Sequence, residues 1–343
     1  MSELKLVATG DVLLHSRVYD ISKKDGKYDF KDKMAPAKKL LQDGDISVVN
    51  LESIVAGEEL GLSSFPEFNN PVELAENLKE FGTDIVTIAN NHTLDYGEKG
   101  VLKSIENLEK INLPYVGSYK SEQDQQKPRI IEKMGIKVAF FAYSAVNMGG
   151  RPPNDKKYLL NRVRRESLKT IRKEIETVKK VEKPDVIVVG AHFGREYGLQ
   201  PIDEQSDISR SLSDIGADII IGHHPHVLQP AQWITNSRGK KTFVIYSLGN
   251  FYSGQKGLYR QIGGALNLTI KKNSKGKVTI EKPTLDLTFV NASKEKNYQM
   301  HLFKDYIELN PYIKTIHDRF DSLDIYTELT NRLTQWMPEL VVR

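Results

Sequence analysis

The chain has 343 residues, no Cys, eight His and a formal charge of +4. At ~150 residues per domain this is one large domain or two modest ones, long enough for a sizeable core without disulfides. The absence of Cys excludes disulfide scaffolds, cysteine-ligated zinc, iron–sulfur clusters and thiol catalysis, and the small charge gives no argument for a nucleic-acid partner.

Met1 to Gly10 reads as a strand, with no basic segment leading into an apolar run, so no signal peptide is expected. No apolar run reaches the ~18–20 residues of a membrane span, and the sequence by itself points to a cytoplasmic chain. Short Val- and Ile-rich runs then recur at 4–9, 46–51, 84–89, 137–143, 185–190, 218–222 and 242–247. They are apolar on both faces, as strands covered on both sides are. Helices are expected between them. Residues 71–81 have Asn70 as N-cap, Pro71 at the first position and Gly82 just beyond the end. Residues 100–111 and 166–181 and a segment around Ile208, Leu212 and Ile215 show an apolar face at helical spacing. This alternation predicts an α/β fold. After Gly254 the pattern turns to antiparallel strands at 265–270, 278–281 and 285–290, with Asn273 to Gly276 as a turn. One domain is expected over 1–293, with 294–343 as a helical C-terminal extension packed on it. Eleven Lys/Arg and four Glu fall between Lys156 and Lys183. Most of that charge reads as the solvated face of a helix, and Arg151, Arg162, Arg164 and Arg165 beside it are the candidates for an anionic partner.

The chemistry-bearing residues collect where the expected strands end. Asp11 and His15 follow the first, Glu52 the second, Asn91, His92 and Asp95 the third. His192, Arg195 and Glu196 follow the run at 185–190, and Gly222-His223-His224-Pro225-His226 the run at 218–222. In open α/β sheets ligands bind at the carboxyl ends of strands. A lone Asp there is usually a cap, but three His in four residues around a Pro are rarely structural. Imidazoles converging on carboxylates are costly to pack without a cation. Asp11, Glu52, Asn91, His192, His224 and His226 nearly supply the N and O donors that two divalent ions about 3.5–4 Å apart require. With no Cys available, one or two ions of Mn, Zn or Fe are expected. The P-loop, the dinucleotide glycine fingerprint and the nucleophile elbow are all missing from the sequence.

Thr9-Gly10-Asp11, Val49-Asn50-Leu51-Glu52, Ala89-Asn90-Asn91-His92 with Asp95-Tyr96-Gly97, His192 to Tyr197, Gly222 to His226 with Gln229, and Tyr246 to Phe251 come in one order over residues 4–254. Together they resemble the CapA family, also called PgsA-like, of poly-γ-glutamate capsule proteins, a branch of the calcineurin-like metallophosphoesterases. The resemblance implies a four-layer α/β/β/α sandwich. It makes Asp11 similar to a first-metal aspartate, and Glu52 stands where the superfamily has a bridging aspartate. Asn91, His192, His224 and His226 resemble the remaining ligands, and His92, with Asp95 in the same motif, the His that assists the leaving group. Where the superfamily's first block reads Asp-x-His, position 13 here is Leu. Arg195, Glu196, Asn250 and Arg151 are the candidates for holding substrate. The implied role is poly-γ-glutamate synthesis or export by metal-dependent hydrolysis, alongside membrane capsule-synthesis proteins. Family members often carry an N-terminal anchor and act outside the cell. The competing readings are a freestanding metal-dependent phosphoesterase and a non-catalytic module that binds a polyanion.

Overall fold

The computed structural model describes residues 2–146, 148–293, 297–315 and 317–343. The Val- and Ile-rich runs form the parallel centres of two sheets. In the first, Ser2–Leu13, Ile46–Leu51, Ile85–Thr87 and Tyr115–Val116 run parallel, and Ile262–Lys272, Val278–Asn291 and Gln299–Leu302 extend the other side antiparallel. Asn250–Ser253 also pairs with Ser2–Leu13. In the second, Ile136–Ser144, Val186–His192, Ile219–His223 and Lys241–Leu248 run parallel, edged by the antiparallel Arg129–Lys133 and Leu228–Thr235.

The period-two geometry of a strand decides what each residue covers. Val138, Phe140, Val188 and Ile221 share a core with Leu4, Leu6 and Val48 of the first sheet. Their neighbours Phe141, Val189 and Ile220 face outward onto Ile171, Ile175, Leu212 and Ile215. Those four lie on the helices Leu168–Glu182 and Asp203–Ile215. Leu41, Leu74, Leu78, Val101 and Ile105, from the helices Ala35–Gln42, Val72–Glu80 and Gly97–Lys110, join the core of the first sheet. The result is the α/β/β/α layering that two-faced apolar strands require. In Leu168–Glu182 only Ile171, Ile175 and Val178 are buried, so its Lys and Arg residues form a solvated face. Among the described residues no helix is long and apolar enough to cross a membrane.

Three expectations are corrected. Val278–Asn291 is one continuous strand rather than two. The C-terminal segment is not purely helical. It contains the helices Phe303–Leu309 and Ser322–Thr334, but Gln299–Leu302 and Val341–Val342 pair with Val278–Asn291 and tie it into the first sheet. Residues 294–296, at the expected boundary, lie outside the described residues. Asn70 does not cap the helix after it, where Pro71 takes the N-cap position without a side-chain bond. Its amide instead accepts from Leu14 N at 3.0 Å and Ser53 Oγ at 2.6 Å, and donates to Leu14 O at 2.8 Å. It thereby fastens the segments that follow two of the parallel strands.

Gly10 sets the direction of the first site residue. Thr9 pairs with Val49 but Asp11 pairs with Asn50, so Gly10 is an extra residue in the ladder. Such a bulge re-aims the side chains beyond it. A Cβ on Gly10 would lie 2.2 Å from the Gly249 carbonyl oxygen and 2.6 Å from that of Leu248. Gly10→Ala is therefore expected to destabilise the fold by at least about 1–3 kcal/mol, as overpacking against immobile backbone does. Urea unfolding checks this, and an unchanged midpoint contradicts it.

Candidate metal centre

Asp11 and Glu52 meet because their strands lie side by side, with Glu52 N donating to Val12 O at 3.0 Å. Both side chains are fully buried. Asp11 Oδ1 accepts from Asn50 Nδ2 at 2.8 Å, and Asn50 Oδ1 accepts from Thr87 Oγ1 at 2.9 Å. This relay across three strand ends fixes the carboxylate plane. From the second sheet, His223 Nδ1 approaches Asp11 Oδ1 at 3.1 Å and His226 Nδ1 approaches Oδ2 at 3.1 Å. His224 and His226 have φ of +98° and +59°. Positive φ at non-Gly residues costs on the order of 1–3 kcal/mol each and persists where function requires it. Here the conformation around Pro225 turns consecutive imidazoles toward the first sheet.

Glu52 is the focus of the arrangement. Its two oxygens are buried and accept no hydrogen bond. The nearest imidazole nitrogens are His192 Nε2 at 3.4 Å and His226 Nε2 at 3.5 Å. His192 Nδ1 and His224 Nδ1 are likewise buried without a partner. Among the described residues, three groups have donor atoms within 4.8 Å of one another: Asp11, Glu52 and His226; Glu52, His192 and His224; and Glu196, His224 and His226. Glu52 belongs to the first two, so it stands where a bridging ligand would. Asn91 Oδ1 lies 2.7 Å from His192 Nε2, beside the second group. Buried carboxylate oxygens and imidazole nitrogens without partners fit a divalent cation bound by hard and borderline donors.

The electrostatics agree. Burial works against charge on Asp11, but bonds from His223 and His226 outweigh it and hold the carboxyl well below its usual range. Burial pushes the Glu52 carboxyl up, against the pull of His226. Burial also keeps His192 and His224 well below the usual imidazole range, so both are neutral and able to donate a lone pair. Burial lowers His226 as well, yet Glu52 and Asp11 outweigh it and raise the ring. Without a cation the centre must therefore hold protons that a cation would displace.

His92 lies in none of these groups. Its Nδ1 is 2.7 Å from Asp95 Oδ2, and its ring meets Phe68 edge-on at 4.7 Å. Asp95 Oδ2 also accepts from Phe68 N at 2.7 Å, which fixes the dyad against the packing ring. His15 also packs edge-on with Phe68, at 5.0 Å, and burial lowers its pKa to about 4. His15 does not stand in for a ligand at Leu13, since it too lies outside the three groups.

Of the residues expected to hold substrate, Asn250 and Glu196 lie against the His residues of the centre. Asn250 is not open to substrate: its Oδ1 lies 2.9 Å from His226 Nδ1, and its Nδ2 donates to Gln255 Oε1 at 3.0 Å and to Arg260 O at 2.9 Å. It acts behind His226, holding the ring. Glu196 joins His224 and His226 instead of facing outward. The bond from Tyr197 N to Pro225 O, 2.8 Å long, brings its turn over those His residues. Arg151 and Arg195 are exposed. Sequence reasoning did not assign roles to His223, Asn50, Tyr197 and Arg260. The first three lie within the motifs, whereas Arg260 has no local signal and is recognised only by its guanidinium, 4.6 Å over the Tyr197 ring.

The sequence model of the family described as "Bacterial capsule synthesis protein PGA_cap" matches residues 5–255. The chain belongs to that family. The PGA_cap region contains every ligand candidate named above. "PGA biosynthesis protein CapA" of Bacillus subtilis (strain 168) is 31% identical over 219 residues, 61% of this chain and 52% of that protein. "Capsule biosynthesis protein CapA" of Bacillus anthracis is 32% identical over 189 residues, 53% of this chain and 43% of that protein. The chain thus spans about half the length of these curated relatives. Among solved structures, the NAD nucleotidase of Haemophilus influenzae aligns with a TM-score of 0.54 at 14% identity, over 99% of this chain and 57% of its own. A putative 5'-nucleotidase from Staphylococcus aureus gives 0.52 at 16%, over 83% and 54%. At such identities the likeness is one of fold, and this PGA_cap chain shares the fold of these nucleotidases.

Proposed function

We propose that this chain acts in poly-γ-glutamate capsule synthesis or export, through metal-dependent hydrolysis at the centre built around Glu52. The observation that carries the reading is the Glu52 carboxylate, buried with both oxygens unpaired between two His groups. Asp11, Glu52 and His226 would hold one cation, and Glu52, His192, His224 and Asn91 a second. Bound divalent ions supply Lewis acidity toward the oxygen of a scissile ester or amide. The chain's own residues do the rest. Asn50 and His223 keep Asp11 in place, and Asn250 orients the His226 ring. Such outer partners are worth about 10–100-fold in metal affinity. Asp95 takes the Nδ1 side of His92, leaving Nε2 as the proton donor to a leaving group. Capsule-synthesis proteins of the membrane are the expected partners, and the substrate is an anionic chain.

The test is metal content followed by activity. Protein dialysed against Mn or Zn is expected to retain between one and two equivalents by elemental analysis, and to cleave poly-γ-glutamate or a phosphoester only in the absence of chelator. Retention below one equivalent overturns the reading. Cleavage of phosphoesters alone replaces the capsule substrate with the phosphoesterase reading.

A further inference from the structure

The two candidate cation positions built on Glu52 lie deep: Asp11, Glu52, His192, His224 and His226 are each at most 2% exposed. A hydrated cation coming from solvent meets the outer residues of the centre first. Of the three ligand groups among the described residues, Glu196 with His224 and His226 is the one with a half-buried member, and that member is the carboxylate. This outer group also shares one His with each inner group. His226 belongs to the group of Asp11 and Glu52 as well, and His224 to that of Glu52 and His192.

The backbone at Glu196 is held from behind. Gly194 and Tyr197 have φ of +94° and +63°, so the chain turns on either side of it. Tyr197 N donates to Pro225 O at 2.8 Å, which ties the turn to the His224–His226 segment. Gln229 Nε2 donates to Gly198 O at 2.7 Å and to Gln200 O at 3.1 Å, and its Oε1 accepts from Gln205 Nε2 at 2.8 Å. Both Gln residues are fully buried. With the backbone fixed, the partly exposed Glu196 side chain is the part of the turn free to change rotamer. His226 sets a further limit. Its Nδ1 faces two acceptors, Asp11 Oδ2 at 3.1 Å and Asn250 Oδ1 at 2.9 Å, so Nε2 carries the lone pair. One lone pair serves one cation, so the outer group and the Asp11–Glu52 group cannot both be filled through His226. The outer position is an alternative to the inner ones.

We propose that Glu196 is a landing ligand: with His224 and His226 it receives a divalent cation from solvent and hands it inward to the groups that share Glu52. The inference rests on the metal centre proposed above. The shared His residues make the transfer stepwise. Movement toward Asp11 keeps His226 and exchanges Glu196 and His224 for Asp11 and Glu52. Movement toward His192 keeps His224 and exchanges Glu196 and His226 for Glu52 and His192. Neither route gives up every ligand at once, which inside a buried centre would leave an uncompensated charge. Glu196 thus governs how fast the centre fills and empties, and the inner residues govern how much it holds.

The experiment follows Zn²⁺ uptake by the metal-free full chain with a fluorescent zinc indicator, and Zn²⁺ release from the loaded chain into excess chelator. Glu196→Gln is expected to slow uptake about tenfold or more. Uptake scales with occupancy of the outer position, and one lost partner is worth about 10–100-fold in metal affinity. Release should slow by the same factor, because both directions use one path, and elemental analysis should find the same content at equilibrium. A permanent ligand behaves in the opposite way, with faster release and lower content, and that result overturns the proposal. Uptake at the wild-type rate overturns it too. The difference in uptake should persist at about 1 M salt, where charges are screened beyond ~3 Å. If salt abolishes it, Glu196 is a steering charge and the proposal fails. Thermal melting checks the fold. Glu196→Asp, which keeps the carboxylate one methylene further back, should show a smaller slowing of the same sign. Wild-type protein that takes up no Zn²⁺ would sink the metal centre and this inference together, whereas equal rates in wild type and Glu196→Gln sink this inference alone.

Discussion

Glu52→Gln is expected to lower divalent-metal affinity by at least ~100-fold, a larger loss than outer-sphere partners cause, while the metal-free protein unfolds at the same or a higher temperature than wild type. The reason is that Glu52 works against stability. Its carboxylate is fully buried, both oxygens lack hydrogen-bond partners, and burial pushes its proton affinity up. A buried ionisable group in this state is a cost that folding tolerates because of what binds there. Glutamine keeps the shape, removes the charge and ends the competition for protons with His226. The change would affect both candidate cation positions, because Glu52 is shared between the two groups. Elemental analysis and thermal melts of the two proteins, each stripped and reloaded, decide the matter. Full metal retention would show that Glu52 is not a ligand. A metal-free melting temperature several degrees lower would show that Glu52 is a structural carboxylate.

Much of this architecture was legible because it follows from alternation. Runs such as 186–190 and 219–222 contain no polar side chain, and a strand covered on both faces needs that. The site was legible for a related reason: parallel strands end together, so residues that follow them converge whatever their separation in sequence. Edge strands were harder to see. Leu228–Thr235 contains Pro230 and two Gln, and an edge tolerates Pro because one side of its backbone needs no partner. The C-terminal strands Gln299–Leu302 and Val341–Val342 are short, and their pairing partner lies far away in sequence. Substrate contacts were the least legible. A motif asparagine such as Asn250 can serve a ligand or a neighbouring ring, and only the 2.9 Å approach to His226 Nδ1 decides for the ring. Arg260 lies outside every motif, and the turn at Gly257 is what leaves room for its guanidinium over Tyr197.

His92→Ala is expected to leave metal content unchanged and to lower the rate constant for hydrolysis by about 10²–10⁴-fold, the span that a positioned proton donor contributes. The separation of the two effects follows from geometry. His92 stands outside all three candidate ligand groups, yet it is not a free surface residue. Asp95 Oδ2 holds its Nδ1 at 2.7 Å, and Phe68 meets the ring at 4.7 Å. An acceptor-only carboxylate on Nδ1 leaves Nε2 as the atom that exchanges protons. Because Asp95 acts through His92, Asp95→Asn should lower the rate less than His92→Ala, and the double variant should match His92→Ala rather than sum the two losses. A positioning role also predicts that KM moves little in either variant. Single-turnover rates with elemental analysis on each sample test the set. Loss of metal in His92→Ala would make the ring a ligand, and additive losses in the double variant would separate Asp95 from His92.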